Sequence, residues 1–238
     1  MDISLIIPAY NEETYIGGAI ESVHRHASGK FKEIVVVDNA STDRTAEVAS
    51  KYPGVRVVCE AQKGLTSARQ AGFQATTGEF LAFMDADCRM TPQWFSAVER
   101  HYAKHPEAIC LTGPIRYYDG PLYMRLIIGP LQWVTLPPAY FIVGFLVIGG
   151  NFVARRSALE RAGGFDRAIS FYGEDANIAR RLSKLGPVLL RMDVILETSA
   201  RRLTGDGIAI TFVRYTLNFF WQKLFGRSFT RSYTDVRR

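Results

Sequence analysis

The stretch that most constrains the fold is an apolar run followed at once by two closely spaced carboxylates. Residues 80–84 (FLAFM) have strand character, and Asp85 and Asp87 come directly after them. Because burying an unpaired carboxylate is costly, a buried strand must end at Asp85 and leave both side chains in a cleft at its carboxyl edge. Two carboxylates in a cleft suit a divalent cation that also holds phosphate oxygens. The alternative is a solvated turn after an ordinary strand.

Apolar, strand-like runs alternate with helix-like segments over the first 105 residues. The predicted strands are 3–8, 33–37, 55–59 and 79–84, and the predicted helices are 11–26, 42–51, 65–74 and 91–104. The run at 33–37 (EIVVV) is apolar on both faces, which favours a parallel strand covered by helices. The alternation therefore predicts an α/β fold with a doubly wound, mostly parallel central sheet and helices on both faces.

Polar clusters follow three of these predicted strands, at residues 9–11 (AYN), 38–39 (DN) and 85–87 (DAD). Ligands of doubly wound sheets bind at the carboxyl ends of the strands, so the three clusters favour a site for metal and phosphate. The glycine patterns of dinucleotide-binding and P-loop proteins are absent from the sequence, so metal and side chains must meet the phosphate charge.

Composition and charge set wider bounds. The chain is 47% hydrophobic and 22% charged, which suits one large domain or a domain with an appendage. Cys59, Cys88 and Cys110 show no metal-ligand spacing and no even count, which favours a reducing compartment. We expect the apolar run in the opening MDISLIIPAY to form a first buried strand and not a signal peptide. The net charge of +6 fits phosphate-bearing ligands or an anionic membrane surface.

Several motifs, in order, resemble those of family 2 glycosyltransferases of the GT-A fold. They are residues 5–13 (LIIPAYNEE), 36–43 (VVDNASTD), 68–72 (ARQAG), 78–87 (GEFLAFMDAD), 149–155 (GGNFVAR) and 173–175 (GED). The resemblance implies a GT-A domain over residues 1–207. It implies a metal-dependent, inverting enzyme that moves one sugar from a nucleotide diphosphate sugar, UDP favoured over GDP, to a membrane-associated or lipid-linked acceptor. The Gln-x-x-Arg-Trp motif of processive polysaccharide synthases is missing.

The resemblance also implies roles for individual residues. Asp87 is the principal ligand of Mn²⁺ or Mg²⁺, with Asp85 beside it, whereas the third ligand is open because Glu197 or Thr198 stands where relatives place a histidine. The residues implied in nucleotide and donor binding are Pro8, Tyr10, Glu12, Asp38, Lys63, Arg69, Asp85, Ala86, Asp87, Gly150 and Asn151.

Several of these residues have an alternative role. Tyr10, expected to stack on the base, is otherwise a half-buried core residue. Asp38, expected to accept from the base imide N–H, is otherwise a helix cap. Arg69 reaches the diphosphate or instead pairs with Asp85. The glycines at 149–150 let a ligand approach the backbone, or form an ordinary turn.

Residues after position 173 carry the implied catalytic groups. Asp175 resembles the catalytic base and Glu174 a residue that orients acceptor or base; the alternative is that both acids serve the dipole of a helix that begins there. Arg201 and Arg202 resemble a segment that contacts phosphate or acceptor, which would suit a polyprenyl-phosphate acceptor.

A long apolar stretch interrupts the motifs. Residues 126–154 hold no charged side chain, so by length they are a candidate membrane span. A single span would, however, place Asp85 and Asp175 on opposite sides of the bilayer. We therefore predict that the insert at 121–146 forms two short apolar helices that pack on the domain or lie in the membrane interface. The alternatives are a buried helical subdomain and a dimer interface.

The last segment, 208–238, is apolar, aromatic and basic. It predicts an amphipathic helix on an anionic membrane surface, and no nucleic-acid recognition motif accompanies it. The expected location is cytoplasmic, peripheral to the inner face of the cell membrane.

Three other functional classes are alternatives to a transferase with a lipid-linked acceptor. A polyprenyl-phosphate glycosyltransferase stays open. A sugar-phosphate nucleotidyltransferase needs a glycine- and arginine-rich loop after the first strand, which residues 8–11 (PAYN) do not supply. An inactive membrane-associated scaffold would be expected to lose Asp87 or Asp175, and both are present.

Overall fold

A seven-stranded sheet and a three-stranded sheet organise the chain in the computed structural model, which describes residues 1–169, 173–207, 217 and 221. The strands are β1 (Ile3–Ala9), β2 (Glu33–Asp38), β3 (Val55–Cys59), β4 (Phe80–Met84), β5 (Cys88–Met90), β6 (Cys110–Thr112), β7 (Ile115–Tyr117), β8 (Asn151–Arg155), β9 (Val188–Leu190) and β10 (Leu196–Thr198). The helices are α1 (Ile16–Ala27), α2 (Thr45–Ser50), α3 (Leu65–Ala75), α4 (Trp94–Lys104), α5 (Gly129–Val143), α6 (Arg156–Ala162), α7 (Glu174–Ser183) and α8 (Arg201–Asp206).

The large sheet has the order β3-β2-β1-β4-β8-β6-β9. Neighbours pair in parallel except at β8, which runs antiparallel to both β4 and β6. The small sheet has the order β5-β10-β7, so β10 links the segment after Asp87 to β7. The predicted doubly wound, mostly parallel sheet is confirmed.

Two apolar cores lie on the two faces of the large sheet. One core packs Leu5 and Ile7 of β1 against α1 and α4, and the other packs Ile6 of the same strand against α3, α6 and α7. All seven residues of β1 are buried because helices cover both of its faces. The carboxyl ends of β1, β2 and β4 therefore meet at one edge of a rigid sheet.

The first two helices begin later than predicted. Asn11 has a left-handed backbone, and the amides of Glu12 and Glu13 donate to Thr45 Oγ1 and Asp43 Oδ2 instead of starting a helix. The acids at 12 and 13 are thus not in the first turn of α1, which begins at Ile16. Asp43, rather than Asp38, accepts from the backbone N–H of Thr45 at the start of α2.

The apolar insert forms one helix, not the two predicted. A π-helical segment, Met124–Ile128, runs directly into α5, and we call the combined Met124–Val143 unit the apolar helix. Pro137 and Pro138 lie inside it without ending it. The carbonyls that they leave without a helical donor belong to Trp133 and Val134, which are exposed.

One side of the apolar helix is fastened to the domain. The Gln132 side chain bonds both the N–H and the C=O of Ile115 in β7, and the Tyr140 hydroxyl donates to the carbonyl of Val188 in β9. Within the described part of the chain, this helix alone is long and apolar enough to span a membrane, and only 6% of its apolar window is buried. The alternative of a buried helical subdomain is therefore excluded among the described residues of the single chain.

The predicted amphipathic helix in 208–238 lies outside the described residues, apart from positions 217 and 221.

Candidate active site

The cleft at the carboxyl edge of the large sheet collects the predicted carboxylates. Asp38 ends β2, Asp85 and Asp87 follow β4, and Glu174 and Asp175 open α7. Two arginines, Arg69 and Arg201, divide these carboxylates into two connected networks.

The first network is centred on Arg69, which is fully buried in α3. Its guanidinium forms an ion pair with Glu174 at 2.5 Å and another with Asp85 at 3.1 Å, and it donates to the carbonyl of Gly149 at 2.7 Å. The pair with Asp85 is one of the two alternatives drawn from the sequence. Arg69 thus ties the end of β4 to the start of α7.

The adjacent glycines explain how these groups fit together. A Cβ at Gly149 would lie 2.8 Å from Glu174 Oε1, and a Cβ at Gly150 would lie 2.7 Å from Asp85 Oδ2. What approaches this backbone in the structure is therefore the protein's own carboxylates. The Asp85 side chain remains 38% exposed and faces solvent in the cleft.

The second network is centred on Arg201, at the start of α8. Its Nε donates to Asp87 Oδ2 at 2.9 Å, and its Nη2 donates to Glu12 Oε1 at 2.5 Å. The guanidinium also lies 4.4 Å from the ring centroid of Tyr15. Arg202 follows in α8, where its charge also acts on Asp87.

Asp119 positions this second network and was not predicted. Its carboxylate accepts from Ser199 Oγ at 2.7 Å and from the backbone N–H of Ala200 at 2.6 Å, which fixes the residues that precede Arg201. Asp119 lies 80 residues before Ser199 in the sequence, and no local pattern links the two.

Burial controls the protonation of the carboxylates. Burial, with the Asp175 and Asp85 charges, outweighs Arg69 and raises the pKa of Glu174 to about 7. Burial also raises the pKa of Asp175 despite the hydrogen bond from the Ala176 N–H. It raises the pKa of Asp87 as well, although Arg201 opposes that shift. An added positive charge in the cleft would therefore stabilise the ionised form of these carboxylates.

Asp85 and Asp87 fit a hard divalent cation. Among the described residues no three histidine, cysteine or carboxylate side chains are arranged to hold a metal ion together. Asp85 and Asp87 are the two residues that could hold one. Glu197 does not supply a third ligand in this arrangement, because it pairs with Arg116 at 2.6 Å. Magnesium is commonly bound through one or two carboxylates, with phosphate oxygens and water as the remaining ligands.

Three residues outline a separate end of the cleft. Lys63 Nζ donates to the Tyr10 hydroxyl at 3.0 Å and lies 4.7 Å from its ring centroid. Asp38 is buried, and within the described part of the chain nothing donates to its Oδ1 atom. Because an unpaired buried acceptor is costly, Asp38 is suited to a ligand N–H. Its predicted alternative as a helix cap is wrong, since the Thr45 N–H at the start of α2 donates to Asp43 and not to Asp38.

Asn151, predicted to contact the nucleotide-sugar donor, differs most from its predicted role. It is fully buried; its Oδ1 accepts from Trp94 Nε1, and its Nδ2 donates to the carbonyls of Gly113, Pro114 and Val194. The amide has no group left for a ligand, so Asn151 holds the two sheets together. Pro8 and Ala86 are also buried, within the framework that carries Tyr10 and Asp87.

Asp175 is partly exposed, unlike Glu174 beneath it. Its Oδ1 accepts from the Ala176 N–H at 2.8 Å, which fixes the carboxylate at the mouth of the cleft. A carboxylate with a raised pKa at the edge of such a cleft is a suitable proton acceptor.

Comparison with known proteins identifies relatives of this chain. The family model described as Glycosyl transferase family 2 matches residues 4–163. Glycosyltransferase AglE of Haloferax volcanii is 38% identical over 98 residues, which are 39% of this chain and 32% of AglE. The chain matches only 26–32% of the length of AglE and of two further curated relatives.

Solved structures share the fold at low sequence identity. The mannosyltransferase PcManGT from Pyrobaculum calidifontis, in complex with GDP-Man and Mn²⁺, aligns with a TM-score of 0.66 at 20% identity, over 90% of this chain and 64% of that one. S. aureus TarS 1–349 in complex with UDP-GlcNAc aligns with a TM-score of 0.64 at 20% identity, over 84% and 58%. Since the family model covers well over half of the sequence, the chain belongs to glycosyl transferase family 2.

Proposed function

We propose that this chain is a metal-dependent, inverting glycosyltransferase that moves one sugar from a nucleotide diphosphate sugar to a membrane-associated or lipid-linked acceptor. The observation that carries the proposal is the bridge through Arg69, which joins Asp85 at the end of β4 to Glu174 at the start of α7. A metal ligand and the neighbour of the proposed base are thereby held on one cleft, as a transfer between two bound substrates requires.

The nucleotide would lie at the end of the cleft that Tyr10 and Asp38 outline. The unpaired Oδ1 of Asp38 is suited to the imide N–H of a uracil or guanine base. A base stacked on Tyr10 would replace Lys63, which covers that ring, and the lysine would then be available to the diphosphate. We favour UDP over GDP on the sequence resemblance; one structural neighbour was solved with UDP-GlcNAc and another with GDP-Man.

Asp87 and Asp85 would hold Mn²⁺ or Mg²⁺ together with oxygens of the diphosphate. When bound, this cation neutralises the charge that develops on the leaving diphosphate. PcManGT, whose fold is similar, was solved with Mn²⁺. Arg201, 2.9 Å from Asp87, adds positive charge to the same end of the cleft.

Asp175 is the proposed base. The acceptor hydroxyl oxygen bonds to the anomeric carbon while the bond from that carbon to the diphosphate oxygen breaks and its electron pair leaves with the diphosphate. Asp175 takes the hydroxyl proton, and burial makes it a stronger base than an exposed aspartate. Glu174, held by Arg69, fixes the orientation of the helix start that carries Asp175.

We further propose that the protein is cytoplasmic and peripheral to the inner face of the cell membrane. The apolar helix supports this, because its side chains away from Gln132 and Tyr140 are exposed and apolar; Val134, Phe141 and Ile142 are each more than 70% exposed. Such a helix, fastened to the domain along one side, is suited to lie in a lipid interface.

The base is tested with Asp175→Asn. We expect this variant to lose transfer by about 100-fold or more, because no group then accepts the proton, while its affinity for UDP with Mn²⁺ stays unchanged. Release of the nucleotide diphosphate measures transfer, and calorimetry measures binding. Asp2→Asn, at an exposed position, is the matched control. Near-normal transfer by Asp175→Asn would contradict the assignment.

Calorimetry also tests the metal and the base preference. We expect wild-type protein to bind UDP more tightly than GDP, and to bind either nucleotide only when Mn²⁺ or Mg²⁺ is present. We expect Asp87→Asn to lose this metal-supported binding. If wild-type protein binds neither nucleotide with metal, the inactive scaffold is the better description.

A further inference from the structure

We propose that a second anion site, next to the apolar helix, holds the phosphate or diphosphate group of a lipid-linked acceptor. This inference deepens the proposed function and rests on it for the word acceptor. The site is a shallow, solvent-open cavity of about 250 Å³ lined by Arg116, Arg125, Pro130 and Trp133. Arg116 lies on β7, and the other three residues lie on the apolar helix.

The charge of this cavity favours an anion. Arg116 pairs with Glu197 at 2.6 Å, whereas within the described ranges no carboxylate forms an ion pair with Arg125. The two arginines that line the cavity are thus matched by one described carboxylate, which gives the cavity a net charge of +1. Arginine presents its N–H donors in a planar fork that matches phosphate oxygens, so two arginines form a suitable wall for a phosphate ester.

The other wall of the cavity is apolar. Trp133 and Pro130 line it, and both are exposed. Leu126, on the turn before Pro130, is 65% exposed and continues the apolar surface along the helix. An inorganic anion would leave this wall in contact with water, whereas an anion that carries a hydrocarbon chain covers it. The combination of two arginines and a tryptophan thus selects an amphiphile.

The walls are held in place before any ligand binds. Gln132 bonds both backbone groups of Ile115, next to Arg116. Gly129 lies close to Tyr117, since a Cβ added to this glycine would be 3.7 Å from Tyr117 Cδ2. Met124 and Gly129 are the buried contacts of this part of the helix. Because both walls are anchored, less ordering is needed on binding.

The cavity is separate from the donor diphosphate site. β10 lies between β7 and β5, and Asp87 directly precedes β5. Two strand spacings place the β7 backbone about 10 Å from β5. A saccharide attached to the lipid phosphate would bridge this distance and bring its hydroxyl to the cleft.

Fluorescence of Trp133 tests the site directly, with Trp133→Phe as the background. The titrations use farnesyl diphosphate, inorganic pyrophosphate and farnesol, in EDTA so that no metal supports a diphosphate at Asp85 and Asp87. We expect farnesyl diphosphate to bind about tenfold or more tightly than either of the other two, because each of them lacks one half of the recognised chemistry. Equal binding of pyrophosphate and farnesyl diphosphate would overturn the lipid assignment.

Two double variants distinguish the effect of these two arginines from the effect of net charge. Arg116→Gln/Arg125→Gln is expected to weaken farnesyl diphosphate binding about tenfold or more. Arg25→Gln/Arg161→Gln removes the same charge from exposed positions on α1 and α6 and is expected to change binding less than about twofold. Arg125→Gln alone breaks no described ion pair and covers the case in which the double variant is unstable. Unchanged binding by Arg125→Gln and by the double variant would overturn the proposal.

Vesicle competition distinguishes the sources of the phosphate. Phosphatidylcholine vesicles with a long-chain polyprenyl diphosphate are expected to displace farnesyl diphosphate, and vesicles with phosphatidylglycerol are not. Equal displacement by both would replace an acceptor site with general binding of anionic lipid. Calorimetry of UDP with Mn²⁺, on wild-type protein and the same variants, tests the proposed function separately. If wild-type protein does not bind UDP, the transferase is refuted, but the lipid phosphate site is not.

Discussion

At the scale of single residues, Arg69 connects the two halves of the cleft. It is fully buried, and its two ion pairs and one carbonyl contact reach three separate segments of the chain. Arginine is suited to this position because one planar group can serve several acceptors at once, whereas a lysine ammonium acts as a point charge. Arg69 is thus a positioning residue for Asp85 and Glu174.

We predict that Arg69→Met destabilises the protein by about 3–5 kcal/mol, because it leaves Glu174 buried without its cation. Urea unfolding followed by circular dichroism measures this change. Arg44→Met removes a 73% exposed arginine and is expected to stay within about 0.5 kcal/mol of wild type. Equal stability of the two variants would show that the Arg69 network adds nothing to the fold.

At the scale of the element, the apolar helix combines two opposed requirements. Gln132 and Tyr140 bind it to β7 and β9, yet most of its length presents apolar side chains to solvent. Soluble monomers rarely expose a continuous apolar surface of this kind, and we propose that the exposed side is an interaction surface. A lipid interface and a second copy of the chain are the two occupants to compare.

We predict that Phe141→Ser/Ile142→Ser weakens binding to phosphatidylglycerol vesicles by about tenfold or more. The two side chains are 88% and 76% exposed, and each apolar side chain of this size gains roughly 1.5–3 kcal/mol when it leaves water completely. Vesicle sedimentation gives the partition coefficient, and a thermal melt like that of wild type shows that the domain is intact.

Sedimentation velocity of the same variant decides between the two occupants. A dimer of wild-type protein that the variant dissociates, with vesicle binding unchanged, would assign the exposed side to an interface between copies.

At the scale of the whole molecule, the end of the sheet opposite the cleft is fastened by Glu33. Its carboxylate accepts from Ser4 Oγ of β1, from both the N–H and the hydroxyl of Thr77, and from Arg56 of β3. Burial alone would raise the pKa of Glu33, but these hydrogen bonds together outweigh it and lower the pKa below the ordinary value of 4.5. The charged form is therefore the one that stabilises the fold.

We predict that Glu33→Gln lowers the free energy of unfolding by about 1 kcal/mol at pH 7, a value reduced for partial solvent exposure. A lowered folded-state pKa gives stability that is fully present above pH 4.5 and is lost as the pH falls through the folded pKa. The difference between wild type and variant should thus shrink below pH 4.5. Urea unfolding at pH 7 and pH 3.5 measures it, with the exposed Glu160→Gln as control. A difference that is the same at both pH values would contradict the linkage.

The sequence by itself determined the features that depend on neighbouring residues. The alternation of apolar strands and helices predicted the sheet, and the carboxylates at 85 and 87 predicted where β4 ends, because strand period and the cost of burying charge act within a few residues. The order of the motifs indicated the family.

Only the tertiary structure decided which distant groups meet. Arg201 bonds Glu12, 189 residues away in the sequence. The Asn151 amide donates to the carbonyls of Gly113, Pro114 and Val194. The apolar helix continues through two prolines because the carbonyls that they leave open lie at exposed residues. These outcomes depend on burial and on the partners that each polar group finds in the fold, and a linear sequence contains neither.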